Sequence, residues 1–293
     1  MDRIIRGLLP DQGLRVVFAR VGDTARMARM LHGLYPTSAH LFAESIAGAL
    51  LLGALQKDHA RVNLQVECDG PLHGLLVDAD AEGNVRGYVR GPSVNFPGDP
   101  ARGAHAALGG SGFLSVLRDL GSGNWYRAHV ELRHLSIAKD LARYFEESEQ
   151  VDTALDVAVL PRDGEPLGEV AGLLFQKLPD GDGAALARLR ARLADGALAA
   201  AIARGGSAQE VIAAVAGDEG AFELLSDQEV AYRCSCSHER ARNAVSALGR
   251  AELEDVLAKE KEAVITCEFC HQRYVVAEAE LRDMARRLAE RDG

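Results

Sequence analysis

Thr37-Ser38-Ala39-His40-Leu41-Phe42-Ala43-Glu44-Ser45-Ile46-Ala47-Gly48-Ala49-Leu50-Leu51-Leu52-Gly53-Ala54-Leu55 decides the fold. Its large apolar residues, Leu41, Phe42, Ile46, Leu50, Leu51 and Leu55, cover most of a helical circumference, so the helix belongs inside a core rather than on a surface. The pattern that follows alternates instead. Val62, Leu64, Val66 and Cys68 share one face, Leu72 to Val77 follow, and Val85 to Arg90 return after a turn at Ala81 to Asn84. A central helix met by antiparallel strands predicts an α/β layer arrangement. Upstream, Asp23-Thr24 is positioned to cap a helix to Leu34, and Pro36 interrupts it before Thr37-Ser38 restart the chain. Downstream, Phe113 to Leu117 and Trp125 to Leu132 read as a hairpin around Gly121-Ser122-Gly123. A helix from Ser136 to about Ser148 and a strand pair, Ala154 to Leu160 and Leu167 to Leu178, complete this domain.

The 293 residues suffice for one large domain and a small one. Charge divides the remainder. Residues 1–144 carry 16 basic and 14 acidic side chains, residues 145–231 carry 6 and 17, and residues 232–293 carry 11 and 12. From Pro179 to Tyr232 the pattern reads as mainly helical, with Ser207 and Glu210 spaced as a capping box and seven glycines as interruptions. This acidic stretch is expected to depend on docking to its neighbours. In the last block, Ser237 caps a helix to Leu248, Gly249 stops it, and a second short helix runs through Leu257. A hairpin around Cys267 to Cys270 and a terminal amphipathic helix through Leu281, Met284 and Leu288 follow. The expected fold class is α+β: an α/β core over 1–178 with antiparallel sheet, a helical linker over 179–231, and a small four-cysteine zinc domain over 232–293.

The N-terminus lacks the pattern of a secretory signal, and the longest apolar run, Ile46 to Leu55, falls short of a membrane span, so a cytoplasmic protein without a membrane partner is expected. There, clustered cysteines signal metal or redox chemistry more often than structural disulfides. Four of the five cysteines form two tight pairs, Cys234-Ser235-Cys236 and Cys267-Glu268-Phe269-Cys270, thirty residues apart. Brought together, they supply the tetrahedral thiolate set that Zn²⁺ takes, and their softness favours zinc or iron–sulfur over magnesium or calcium; the C-x-C pair and the lack of further cysteines favour zinc. A purely structural zinc site fits the same residues. A thioredoxin-like role requires Cys267 and Cys270 to open a helix, whereas they lie in a hairpin. His238 and His271 adjoin the set and could replace a ligand. Cys68 reads as a core thiol.

Other motifs lack essential parts. Asp78 to Gly83 begins like a calcium loop, but its twelfth position is Val89, so a hairpin turn explains it. Gly109-Gly110-Ser111-Gly112 is followed by neither Lys-Ser nor a helix, against a phosphate cradle. No nucleophilic triad stands out, so no enzyme is expected. The formal net charge of −10, with a near-neutral terminal block, argues against a nucleic-acid partner.

The chain resembles the heat-shock protein 33 family, the redox-regulated holdase chaperones of bacteria. The likeness is carried by Cys234-Ser235-Cys236-Ser237 with Glu239-Arg240, and by Cys267-Glu268-Phe269-Cys270 with Tyr274. Gly87-Tyr88-Val89-Arg90, Tyr144 to Gln150 and Gly172 to Pro179 add to it, and it spans nearly the whole chain in order. Ala171, where a glycine pair is usual, and His238, where arginine is common, depart from the pattern. The resemblance implies an ATP-independent chaperone for unfolding proteins under oxidative stress. It further implies a reduced, zinc-bound, inactive monomer and an oxidised homodimer, with disulfides Cys234 to Cys236 and Cys267 to Cys270 forming as zinc leaves and the linker unfolds. The chemistry agrees: zinc keeps four sulfurs as oxidisable thiolates, and its ~10–16 kcal/mol of binding rivals the stability of a whole domain. A static zinc-ribbon adaptor is the alternative.

Overall fold

The computed structural model describes all residues except 57–59, 99, 120–124 and 293, and it divides into two compact units, Met1–Arg233 and Cys234–Gly293. The expected turn at Gly121-Ser122-Gly123 lies outside the described residues.

The first unit opens with two strands that the sequence pattern does not announce, β1 (Arg3–Leu9) and β2 (Leu14–Arg20). They reverse through a 3-10 turn at Pro10–Gln12, closed by Gly13 at φ 59°. α1 (Gly22–His32) follows, and its cap differs from expectation. Neither Asp23 nor Thr24 caps it; the Asp2 carboxylate accepts the Asp23 and Thr24 amides at 3.1 and 2.6 Å, so the residue just before β1 supplies the cap. α2 (Pro36–Ala54) starts with Pro36 in its first turn. Here too the expected capping hydroxyls serve elsewhere: Thr37 Oγ1 accepts the Phe96 amide at 3.0 Å and Ser38 Oγ donates to the Gly91 carbonyl at 2.8 Å.

Next come β3 (Arg61–Cys68), β4 (Gly74–Asp80), β5 (Asn84–Val89), α3 (Pro100–Leu108), β6 (Gly112–Asp119) and β7 (Trp125–Glu131). α4 (Ile137–Tyr144) ends in a π-helical turn at Phe145–Glu149, and the long hairpin of β8 (Thr153–Arg162) and β9 (Glu165–Lys177) follows. α5 (Gly183–Ala194), α6 (Ala197–Ala203) and α7 (Ala208–Ala216) are the expected linker helices. The stretch after them is not helical. It forms β10 (Glu223–Glu229) and β11 (Ala231–Tyr232), because β1 offers an open edge to pair with.

The strands build two sheets, ordered β10-β1-β2-β9-β8 and β11-β5-β4-β3-β6-β7. α2 lies between them, in contact with β2 and β9 of one and with β3, β4 and β5 of the other. By length and composition α2 could cross a membrane, but it is wholly enclosed. The far face of the five-stranded sheet, with Ile5, Val16, Phe18, Leu173 and Phe175, is covered by α5 to α7 through Leu186, Leu189, Leu193, Ile202, Ile212 and Val215. Each such side chain contributes about 1.5–3 kcal/mol when fully buried. The linker glycines sit at helix ends rather than inside: Gly196 precedes α6 at φ 82°, Gly205 follows it, and Gly217 closes α7.

The second unit contains α8 (His238–Ser246), α9 (Arg250–Lys259), the antiparallel pair β12 (Ala263–Thr266) and β13 (Arg273–Val276), and α10 (Glu278–Asp292). Ser237 Oγ accepts the Arg240 amide at 3.2 Å, the expected cap. α8 ends at Ser246 with Ala247 as its cap, short of the expected stop, and Gly249 serves only to start the second helix, its amide donating to Glu252 at 3.0 Å. Among the described residues the buried cluster here is Val245, Leu253, Val276, Leu281 and Met284, with Val256, Leu257 and Ile265 partly buried against it. So small a core leaves the module in need of another source of stability.

Candidate metal and redox centre

Two local structures place the four thiols. Cys234 and Cys236 lie on the extended segment before α8, where alternation sends both sulfurs to one side. Cys267 and Cys270 flank the turn between β12 and β13. That turn is closed by the Cys267 amide donating to the Gln272 carbonyl at 3.0 Å and the His271 amide to the Cys267 carbonyl at 2.8 Å. His271 adopts φ 57°, the left-handed turn that brings the chain back.

All four sulfurs are half-buried and lie within 4.8 Å of one another. Cys234 Sγ is 3.7 Å from Cys267 Sγ, and Cys236 Sγ is 3.3 Å from Cys270 Sγ. A tetrahedron of thiolates ~2.3 Å from its centre has edges of ~3.8 Å, so the donor set fits zinc in chemistry and in size. His238 stands aside: its Nε2 is 3.0 Å from the Val275 carbonyl and 3.8 Å from Glu280. Neither His238 nor His271 joins the thiol cluster.

The thiols are not equivalent. Burial pushes Cys236 up, but hydrogen bonds from Tyr274 and then from the neighbouring thiols outweigh it and hold the group at about 7. Burial and the hydrogen bonds given to the other sulfurs push Cys270 up to about 12. The Tyr274 hydroxyl donates to Cys236 Sγ at 3.1 Å, and that bond holds the phenol itself at about 12. Tyr274 was legible only as a family motif; its spacing carries no signal for a sulfur partner. Arg240 donates to Ser235 Oγ at 2.8 Å and steadies the C-x-C segment.

The remaining candidates stay outside this centre. Cys68 ends β3 half-buried against the main core rather than inside it, and burial raises its thiol. Asp80 Oδ1 accepts the Glu82 and Asn84 amides at 2.9 and 3.0 Å, so the calcium-like stretch is a hairpin turn. The glycine loop closes on Asp69, which accepts the Gly110 and Ser111 amides at 2.8 and 3.0 Å.

The family model described as Hsp33 protein matches residues 2–277. The 33 kDa chaperonin of Geobacter sulfurreducens is 36% identical over 96% of this chain and 93% of its own. That of a Cyanothece species is 34% identical over 100% and 99%. Among solved structures, the 33 kDa chaperonin (Heat shock protein 33 homolog) of Thermotoga maritima superposes with a TM-score of 0.86 at 27% identity, covering 99% of both chains.

Proposed function

The chain belongs to the Hsp33 family of chaperones, and on that premise we propose that it is a redox-regulated, ATP-independent holdase of the cytoplasm, not an enzyme. The observation that carries this reading is the apolar sheet face of Ile5, Val16, Phe18, Leu173 and Phe175, covered by α5 to α7 on the segment that leads to the thiol cluster. Cys234, Cys236, Cys267 and Cys270 would hold zinc, which when bound would keep the four sulfurs as thiolates and add stability that so small a core lacks.

The redox step belongs to the cysteines. One thiolate attacks a peroxide oxygen, the O–O bond breaks, hydroxide leaves, and a sulfenic acid forms. Its partner thiolate displaces a second hydroxide and closes the disulfide, so two electrons pass to the peroxide for each bond. The family resemblance assigns the pairs as Cys234 with Cys236 and Cys267 with Cys270. Each disulfide removes two donors, and the module of residues 232–293 loses its fold. Residues 179–231 then release, and the uncovered core of residues 1–178 binds unfolding proteins as a homodimer.

Zinc content and suppression of client aggregation, measured together across a peroxide titration, test this reading. Protection is expected to rise as zinc is lost. Equal protection by the reduced, zinc-loaded chain would overturn it, and zinc retained at full oxidation would return the static adaptor. Peptide mapping separates the assigned disulfides from the cross pairs whose sulfurs lie 3.7 and 3.3 Å apart, Cys234 with Cys267 and Cys236 with Cys270.

A further inference from the structure

β10 is a strand with little side-chain hold. None of its seven residues is buried, and Leu224 and Leu225 are 43% and 59% exposed. What fastens it is the main-chain ladder to β1, from Glu229 opposite Arg3 to Glu223 opposite Leu8, together with surface pairs. Arg3 Nε meets Asp227 Oδ1 at 2.7 Å, and Arg6 donates to Ser226 and Gln228. Exposed ion pairs contribute about 0–1 kcal/mol each. The strand beneath is the opposite case, with Ile4, Ile5 and Leu9 buried.

The ladder slips between Arg6 and Gly7, where β10 carries Leu225 as an extra residue. There Gly7 leaves a notch, and the Phe222 ring sits in it. A Cβ at Gly7 would lie 2.2 Å from the Glu223 carbonyl oxygen and 2.3 Å from that ring.

We propose that the β1 edge is a client seat, which pairs with an extended segment of unfolded polypeptide carrying an aromatic residue for the Gly7 notch, and that β10 is the resident strand occupying it until release. This rests on the redox-switch reading and adds where and how a client is held. Main-chain pairing to a sheet edge is nearly independent of sequence, as a binder of many unfolded chains requires. The notch and Arg3 add a preference for an aromatic residue followed by a carboxylate at the place of Asp227. Arg6 stays aligned after release, because it also donates to the Ala54 and Ala81 carbonyls. A strand fastened by backbone and surface pairs opens locally at low cost, and only residues 230–233 separate it from Cys234.

Amide hydrogen exchange on the full chain tests the seat, with carboxymethylated α-lactalbumin as a permanently unfolded probe. The alternate amides of residues 4–9 that face β10 rather than β2 are expected to exchange slowly when reduced, rapidly when oxidised, and slowly again with probe bound, while 223–229 stay fast. Bound probe with β1 unprotected, or protection returning to β1 and β10 together, overturns the inference alone. No probe binding by the oxidised chain overturns the switch reading and this seat with it. A synthetic peptide of residues 221–230 should bind the oxidised chain and lose about tenfold in affinity on Phe222→Ala; equal binding removes the notch. Finally, Asp227→Pro with Gln228→Pro alters adjacent positions, one of whose amides must face β1. The reduced, zinc-loaded double variant should already bind the probe, and binding no greater than the parent's counts against the resident-strand role.

Discussion

Tyr274 is a small lever on the thiol centre. Its hydroxyl donates to Cys236 and lies beyond the four sulfurs themselves, so Tyr274→Phe keeps the donor set and removes a bond that orients it. Loss of such an outer partner costs about 10–100-fold in metal affinity. Zinc affinity is expected to fall by about tenfold in competition with a chromogenic chelator, with the fold of the loaded form unchanged. Glu44 acts in the other unit. It lies in α2, enclosed by the fold, and accepts the Ala138 amide at 2.8 Å. Burial first, then Asp156 and Asp140, outweigh the amide and Lys139 and push its carboxyl from 4.5 up to about 7. The folded chain therefore holds this proton more tightly than the unfolded chain does. That contribution is fully present below pH 4.5 and is lost as pH rises through 7, about 3 kcal/mol in all. Glu44→Gln should flatten this part of the pH profile and stabilise the chain at neutral pH, as read from urea midpoints. A smaller slope of the same sign remains from Asp156, which burial pushes up to about 6.

At the scale of elements, the linker is latched as well as packed. Arg188 of α5 reaches the segment after α7 and donates through Nε and Nη2 to Glu219 at 2.6 and 2.8 Å. Glu219 is only 5% exposed, so Arg188→Ala removes the fork that holds its carboxylate and should loosen the segment after α7. Faster exchange of α7 amides in the reduced chain is the expected sign, with Arg188→Lys intermediate because it keeps the charge and loses the fork. The capping box of α7 was readable from Ser207 and Glu210, and the structure has both bonds. α2 and β3 to β5 were readable because each has one period and one environment. β1, β2 and β10 were not, for opposite reasons. β2 is buried on both faces and β10 on neither, so neither strand alternates, and only the pairing with β1 reveals them. The cysteine pairs were legible by spacing, whereas the cross-pair contacts follow from how the β12–β13 turn meets the C-x-C segment.

For the whole molecule, the two units should come apart in stability. Removing zinc with a chelator under reducing conditions is expected to erase the amide signals of residues 234–293, whose buried cluster is small, while those of the first unit's sheets persist. Loss of both sets in one step would contradict this division. The placement of α2 has a consequence in time. Because that helix is clasped by two sheets of its own unit, the proposed switch would let the thiol centre and the linker be lost and regained while the middle of the first unit stays folded. Regaining a few short helices and a hairpin takes microseconds to milliseconds, whereas uncatalysed thiol–disulfide exchange takes minutes to hours. Under the proposed switch, recovery after stress should therefore run at the pace of the cell's reductants, with no slow refolding step of the protein's own.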